Sequence, residues 1–429
     1  MSDNKLKITI SGQEVASIWV DKIEETYKFK YSMQWKEQGF EISPHIKLQE
    51  SSKPGIVRRF LENLIPEGKG LEDITQFAHI SKNNTFAIIK AIGYDTSGAL
   101  MFGEADNKDE AIFRSIADDE IADRISHIED KSIVIWDKKE RLSLAGVQEK
   151  LPVIIKDGQI GLGDGLLSST HIMKFQTAKH ANIVVNELFC MKLAKKINLN
   201  VAEVELKRFK EHPVLMVKRF DRVYKGNRVE RLHVIDACQM LDLSSTHKYE
   251  RNFGSGRDVK EIREGASFTK LFKSADLCEV PAKAKLEMLN WSVFNLIIGN
   301  SDAHGKNFSF FVDKRGIKPT PFYDMLCIIA HGNVEHDLAM AYGDEFNPDE
   351  VKAYQLREFA DAIGLNFKLV SQSVDKIASL IIKALEDDIL NSSDLINEEK
   401  LFVDKIRDLI LQRAKDFKIT ASQMSSVTF

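Results

Sequence analysis

The stretch Leu296-Ile-Ile-Gly-Asn300-Ser-Asp302-Ala-His304-Gly-Lys306-Asn307-Phe308 decides how the rest of this 429-residue chain is read. An apolar helix-like run ends at Gly299, and an apolar strand-like run resumes over Phe308–Val312. Between them stand an acid and an amide five positions apart. Phosphoryl transfer needs such a pair: a carboxylate that orients the attacking hydroxyl and accepts its proton, and an amide oxygen that binds magnesium. Asp302 and Asn307 reproduce the D-x-x-x-x-N spacing of a kinase catalytic loop. Seventeen residues after Asn307 comes Pro321-Phe-Tyr-Asp324, preceded by a turn at Lys314–Gly316. It offers a second carboxylate from the end of the next strand, where a kinase places its principal magnesium ligand. Taken singly, Asp302 would start a turn and Asp324 would cap a helix. Together, at this spacing, they point to phosphotransfer. Asp-x-His followed by a distant Asp also resembles a metallohydrolase pattern, but no second histidine stands at ligand spacing. His304 therefore reads as a histidine bonded to the loop backbone.

Moving toward the N-terminus, a phosphate-facing lysine is expected on a strand, and Lys174 ends the run Thr170-His-Ile-Met-Lys174. Glu187 lies thirteen residues on, among Val184, Val185, Leu188 and Phe189, within an amphipathic helix over Ala181–Ile197. A strand lysine that binds phosphates and pairs with a helix glutamate is a kinase arrangement; the alternative is a solvated lysine and an exposed acid. No G-x-G-x-x-G and no Walker A motif is present in this part of the chain. Ser143-Leu144-Ala145-Gly146-Val147-Gln148-Glu149-Lys150 is a small-residue turn whose backbone N–H groups could approach phosphate, with Lys150 adding charge.

The surrounding periodicity gives an α+β fold class. Leu6, Ile8 and Ile10, then Ala16–Val20, then Tyr27–Ser32 alternate as strands of a small antiparallel sheet. Val57, Phe60, Leu61 and Leu64 have helical spacing, stopping at Pro66-Glu-Gly68, and short helices are predicted at Leu71–Ala78 and Asn84–Ile92. Residues 107–135 are acidic and helix-forming and read as a connector. Strands are expected at Leu151–Lys156, Ser169–Phe175, Val201–Phe209 and Pro213–Phe220, with turns at Gly158 and at Gly161–Gly165. The order of strands about the helix matches the small lobe of a two-lobed, kinase-like fold. Beyond residue 230 the chain reads as mostly helical, interrupted by a Gly- and charge-rich loop at Ser244–Gly265 that is either a disordered surface loop or a substrate contact. The expected division is 1–105, an N-terminal α+β module; 106–225, a small lobe with its connecting segment; and 226–429, a helical large lobe.

Hydrophobic residues make up 43% and charged residues 29% of the chain, with a net charge of −4. That balance excludes a global electrostatic pull toward nucleic acid or anionic membrane, so any DNA contact needs a local patch or a partner. Cys190, Cys238, Cys278 and Cys327 are widely spaced in apolar surroundings and read as buried free thiols, which fits a reducing compartment. The polar N-terminus lacks the apolar core of a signal peptide, and Trp291–Gly299 is too short to span a membrane. A cytoplasmic protein without membrane contact is expected.

These segments resemble the HipA-type serine/threonine kinases, toxin halves of bacterial toxin–antitoxin pairs. The resemblance is carried by Ser143–Lys150, Thr170–Lys174, Asn186-Glu187, Arg219-Phe-Asp-Arg222, Asp236-Ala-Cys-Gln239, the Gly299–Phe308 loop and Pro321–Asp324. Phe60-Leu-Glu-Asn-Leu-Ile-Pro66-Glu-Gly68 and Asn84-Thr-Phe-Ala-Ile extend it into the N-terminal module. It implies ATP and Mg2+ as cofactors, Asp302 as catalytic base, Asn307 and Asp324 as magnesium ligands, and Lys174 as nucleotide-binding lysine. Lys218 and Phe220 would meet the adenine mainly through backbone groups. His304 and Lys306 join the ATP-site set, and Glu187 and Asp236 would support it. Ser143 would be autophosphorylated, ejecting its loop and inactivating the enzyme. A small helix-turn-helix antitoxin (HipB-like), operator DNA reached through that antitoxin, and a protein substrate are the implied partners. The best-known family substrate is glutamyl-tRNA synthetase. Two departures stand out: Ile235 replaces the acid that commonly precedes Asp236, and Phe-Gln-Thr-Ala-Lys follows Lys174 in place of a proline-containing run. Alternatives are a small-molecule phosphotransferase built on the same residues and a catalytically silent scaffold or co-repressor that binds the antitoxin.

Overall fold

The computed structural model describes residues 5–21, 24, 26–53, 55–103, 110–141, 148–332, 334–387, 389–390 and 394–428. The chain forms two compact units, one comprising Met1–Val184, Glu203–Ile235 and Phe310–Ile317, the other Val185–Ala202, Asp236–Ser309 and Lys318–Phe429.

The first unit begins with a four-stranded antiparallel sheet in the order Thr26–Tyr31, Gln13–Asp21, Lys5–Ile10, Met101–Phe102. Alternation sets its faces: Leu6 and Ile8 are buried while Lys5 and Lys7 are exposed, as a period of two requires. Three helices, Ile56–Glu62, Gly68–Phe77 and Thr85–Ile92, follow. The last is capped by the Asn84 side chain, which accepts from the Ala87 N–H at 3.0 Å, satisfying a donor that the helix start leaves open.

A six-stranded sheet completes this unit, in the order Val204–Phe209, His212–Lys218, His171–Phe175, Lys150–Lys156, Gln159–Gly165, Ala111–Ser115. Two expectations are corrected here. Residues 107–135 are more than a connector: Ala111–Ser115 is the edge strand, paired with Gly161–Gly165, ahead of the helix Asp118–Ser126. Gly161–Gly165 accordingly lies in a strand. A Cβ at Gly161 would stand 2.4 Å from the Phe113 ring and 2.5 Å from the Arg114 carbonyl, so these glycines permit a close backbone approach.

The second unit is helical. Pro281–Ile298 is buried on nearly all sides from Met288 onward, the pattern of a core helix. It packs with Phe367–Ala384 and Asn397–Gln423. Phe268, Tyr342 and Phe359 form an aromatic cluster with centroid separations of 4.8–5.2 Å. Arg413 donates to the carbonyls of Leu296 at 2.9 Å and Ile297 at 3.2 Å. A guanidinium there answers both the open carbonyls and the negative end of the helix. All four cysteines are free and buried. Among the described residues no helix is long and apolar enough to cross a membrane.

Candidate active site

The end of the core helix aims the loop that follows it. Gly299 takes φ 71° and closes the helix. A Cβ there would sit 2.3 Å from the Ile329 side chain, so both backbone conformation and packing select glycine. Asn300 then donates to Asn295 Oδ1 at 2.8 Å and toward the Asp324 carbonyl at 3.4 Å. Its own Oδ1 is buried with no partner among the described residues. Sequence reasoning passed over Asn300, although it opens the motif.

Asp302 and Asn307 are brought together by the turn between them. The Asn307 amide Nδ2 donates to the Asp302 carbonyl at 3.0 Å, and the His304 N–H donates to the same carbonyl at 2.8 Å. Since the amide nitrogen is held in this way, Asn307 Oδ1 is the atom presented for a ligand. His304 is buried, and its ring nitrogen Nδ1 accepts from the Lys306 N–H at 3.2 Å. Burial, with Lys248 nearby, pulls its pKa down to about 3. The ring is therefore neutral at physiological pH and serves the loop backbone, as the sequence suggested.

Tyr249, which sequence reasoning missed, contacts the acid of this loop. Its hydroxyl donates to Asp302 Oδ1 at 2.6 Å, its ring meets His304 edge-on at 5.1 Å, and the Lys248 ammonium lies 5.4 Å from the ring centroid. The segment carrying it is anchored. Glu250 is buried, accepts from Arg263 Nε at 2.8 Å and from the Ala341 N–H at 2.8 Å, and Gly265 lies so close that a Cβ would clash with the Tyr249 carbonyl. Ser244–Gly265 is thus held at Glu250 and Gly265. The available signal was the acid and base at Glu250 and Arg263 with Gly265 behind them.

Lys306 is buried and pairs with Asp236 Oδ2 at 3.0 Å. The other oxygen of Asp236 caps the helix Ala237–Met240 by accepting from the Gln239 N–H at 2.8 Å, and Gln239 answers the Asp236 N–H at 3.1 Å. A single acid thus serves both cap and ion pair. Tyr323 donates to the Lys306 carbonyl at 2.7 Å and accepts from the Ser309 hydroxyl at 2.6 Å. Next to it, Asp324 takes φ 59°. A left-handed non-glycine backbone is strained, and such strain concentrates at functional sites. The segment beyond is locked by Asn186, which accepts from the Cys327 N–H at 2.8 Å and donates to the Cys327 carbonyl at 3.0 Å. The same amide nitrogen lies 2.9 Å from the His331 ring nitrogen Nε2.

In the first unit, Lys150 and Lys174 occupy facing positions on adjacent antiparallel strands, and both are buried. Gln148 donates to the Phe175 carbonyl at 3.1 Å, and Glu149 is buried enough that its carboxyl pKa is raised. Lys218 is half-exposed, with its ammonium 3.2 Å from Glu203, and its N–H donates to the Glu203 carbonyl. Phe220 meets Phe311 edge-on at 5.8 Å. Glu187 is buried in the helix Ile183–Lys196 of the second unit. Ser143, Leu144, Ala145, Gly146 and Val147 lie outside the described residues.

Arg219-Phe-Asp-Arg222 has a role that the motif alone did not reveal. Asp221 accepts from Arg219 Nε at 2.9 Å, from Arg222 Nη1 at 2.7 Å and from the Gly98 N–H at 2.8 Å. Burial alone would raise its pKa, but these guanidiniums hold it well below the usual carboxylate range. Arg222 also donates to the Gly98 and Thr96 carbonyls, fastening the end of the N-terminal module to the six-stranded sheet.

Comparison with known proteins agrees with this geometry. Residues 6–103 match the HipA N-terminal domain and residues 142–389 the HipA-like C-terminal domain. The chain is 41% identical to the serine/threonine-protein kinase toxin HipA of Shewanella oneidensis, over 96% of this chain and 95% of that one. It is 30% identical to the protein Y4mE of Sinorhizobium fredii, over 90% and 92%. The structure superimposes on Shewanella oneidensis HipA, solved with HipB and its operator DNA, with a TM-score of 0.91, 40% identity, and coverage of 99% and 100%. With both domains matched in order and a relative 41% identical over nearly its whole length, the chain belongs to the HipA family of serine/threonine-protein kinases.

Proposed function

We propose that this protein is the ATP-dependent kinase toxin of a toxin–antitoxin pair, with Asp302 as its catalytic base. The observation that carries the reading is the fixing of Asn307 on the Asp302 carbonyl, which presents Asn307 Oδ1 beside the base. In the proposed step a serine or threonine hydroxyl oxygen attacks the γ-phosphorus, the bond to the β-phosphate oxygen breaks, ADP leaves, and Asp302 takes the hydroxyl proton. Asn307 and Asp324 would hold Mg2+, two hard oxygen donors of the kind this cation takes. When bound, the ion supplies charge neutralisation at the phosphates. Lys150 and Lys174, buried on facing positions of adjacent strands, support the nucleotide assignment as a pair of cations on one face of the sheet. Glu187 is buried in its helix and would support the site, as the family resemblance implies. Lys218 and Phe220 would flank the adenine, and His304 and Lys306 would shape the phosphate end.

The same reading assigns residues 1–105 to the N-terminal module, 106–225 to the nucleotide-binding lobe and 226–429 to the catalytic lobe. Its partners are a HipB-like helix-turn-helix antitoxin and, through it, operator DNA, as in the Shewanella assembly. Its substrate is a translation-related protein such as glutamyl-tRNA synthetase, and autophosphorylation at Ser143 switches it off.

The test is the intact and peptide mass of purified protein, with and without ATP and magnesium, beside Asp302→Asn. One added phosphate at Ser143, absent in the variant, is expected. ATP binding with no phosphate on the chain or on any protein of a substrate panel would move the silent scaffold to the front.

A further inference from the structure

In the proposed kinase two segments supply the magnesium ligands: the loop after the core helix, with Asn307, and the segment carrying Asp324. Asn300 joins them. It is only 2% exposed, and its amide nitrogen donates to Asn295 Oδ1 at 2.8 Å and to the Asp324 carbonyl at 3.4 Å. Asn295 is oriented by its own amide, which donates to the Trp291 carbonyl at 2.9 Å inside the core helix Pro281–Ile298. Its Oδ1 is thereby turned to Asn300, so flipping the Asn300 amide would set oxygen against oxygen. A backbone bond links the same two stretches, from the Ile329 N–H to the Gly299 carbonyl at 3.2 Å.

Packing alone does not call for an amide here. Asn300 Oδ1 is buried with no partner among the described residues, a penalty that an apolar side chain of similar shape would avoid. What the amide adds is a donor for Asn295 and for Asp324. Asp324 takes φ 59°, a conformation that a residue with a Cβ holds at a cost and keeps where its surroundings fix the adjoining peptides. The Asp324 carbonyl belongs to the peptide that follows the carboxylate-bearing Cα. A donor on it restrains ψ of Asp324, and with it the direction of the side chain relative to the buried residues Met325–Cys327 downstream.

We propose that Asn300 is a positioning residue of the magnesium site: by holding the Asp324 carbonyl it sets the Asp324 carboxylate to share the cation with Asn307. Asn300 acts through Asp324 and is not itself a ligand. The inference rests on the assignment of Asp324 and Asn307 as magnesium ligands, and it adds to that pair the residue that fixes one with respect to the other. Supporting groups of this kind, which orient a ligand without touching the ion, govern metal affinity.

The experiment is calorimetric titration of the full chain with adenylyl imidodiphosphate, with and without Mg2+, which reads the gain in nucleotide affinity that the cation brings. Asn300→Leu, which keeps the volume and removes the donor, should cut that gain about fivefold and leave the affinity without magnesium unchanged. Asn295→Ala loses the same core bond but leaves the Asn300 amide to Asp324, so it should keep the gain while lowering the urea midpoint. Should Asn300→Leu fail to fold, Asn300→Ala makes the same test. A full gain in the Asn300 variant beside its loss in Asp324→Asn would overturn the proposal and leave the kinase reading intact. An equal cut in Asn295→Ala would also overturn it, by tracing the effect to the helix end as a whole. If the wild-type protein shows no gain, or Asp324→Asn keeps all of it, the magnesium assignment falls and the proposal falls with it.

Discussion

Two aspartates, Asp302 and Asp221, are held in different ways. Around Asp221, guanidiniums and carboxylates face one another, and most of the charge is neutralised internally. Around Asp302, the partners of the acid and its neighbours include a phenol, an amide and backbone groups. These fix position through hydrogen bonds. The first arrangement suits holding segments together, whereas the second aims an acid, as the proposed reaction centre requires.

The widest separation should come from a reciprocal pair of isosteric changes. Asp302→Asn should lower phosphorylation by about 10²–10⁴-fold while shifting the urea midpoint little. Asp221→Asn should do the reverse, destabilising by about 3–5 kcal/mol by stranding buried guanidiniums, with activity per folded molecule retained. If Asp302→Asn proves as destabilising as Asp221→Asn, the contrast collapses.

A smaller effect sharpens the structural side. His233 is fully buried; its Nε2 bonds the Ile42 carbonyl at 2.8 Å, and burial pulls its pKa down to about 4. The unfolded chain takes up this proton near pH 6.5, whereas the folded chain refuses it until about pH 4. Stability is therefore lost as pH falls through that window, by about 1.4 kcal/mol per pH unit for this one group. Urea melts at pH 7, 6 and 5 should show the slope, reduced in His233→Gln. The smallest effect concerns positioning: Tyr249→Phe should lower turnover about tenfold with little change in stability. Unaltered turnover would remove Tyr249 from the site.

What was legible in the sequence divides along physical lines. The loop from Gly299 to Asn307 was readable because its geometry is local: a helix end, a left-handed glycine, and an acid and amide joined across one turn. Asp324 was readable from its position after a strand. Tyr249 was not, because its contact with Asp302 depends on a distant loop folding back onto Glu250 and Gly265. Ala111–Ser115 was hidden by short length and acidic flanks, and the glycines of its partner strand imitate turns. Arg219–Arg222 was recognisable as a motif, yet its task depends on Asp95 and Gly98, more than a hundred residues away.

Asn186 carries a consequence for control. Its amide grips both backbone groups of Cys327, three residues beyond Asp324. Flipping that segment outward, a familiar way of silencing phosphotransfer enzymes, would break several buried hydrogen bonds at about 1 kcal/mol each, with further penalties for any polar group left dry. The segment just beyond Asp324 is thus held in place, and in the proposed kinase an off-state would be reached more readily by moving something else: a covering loop, a bound protein, or the nucleotide itself.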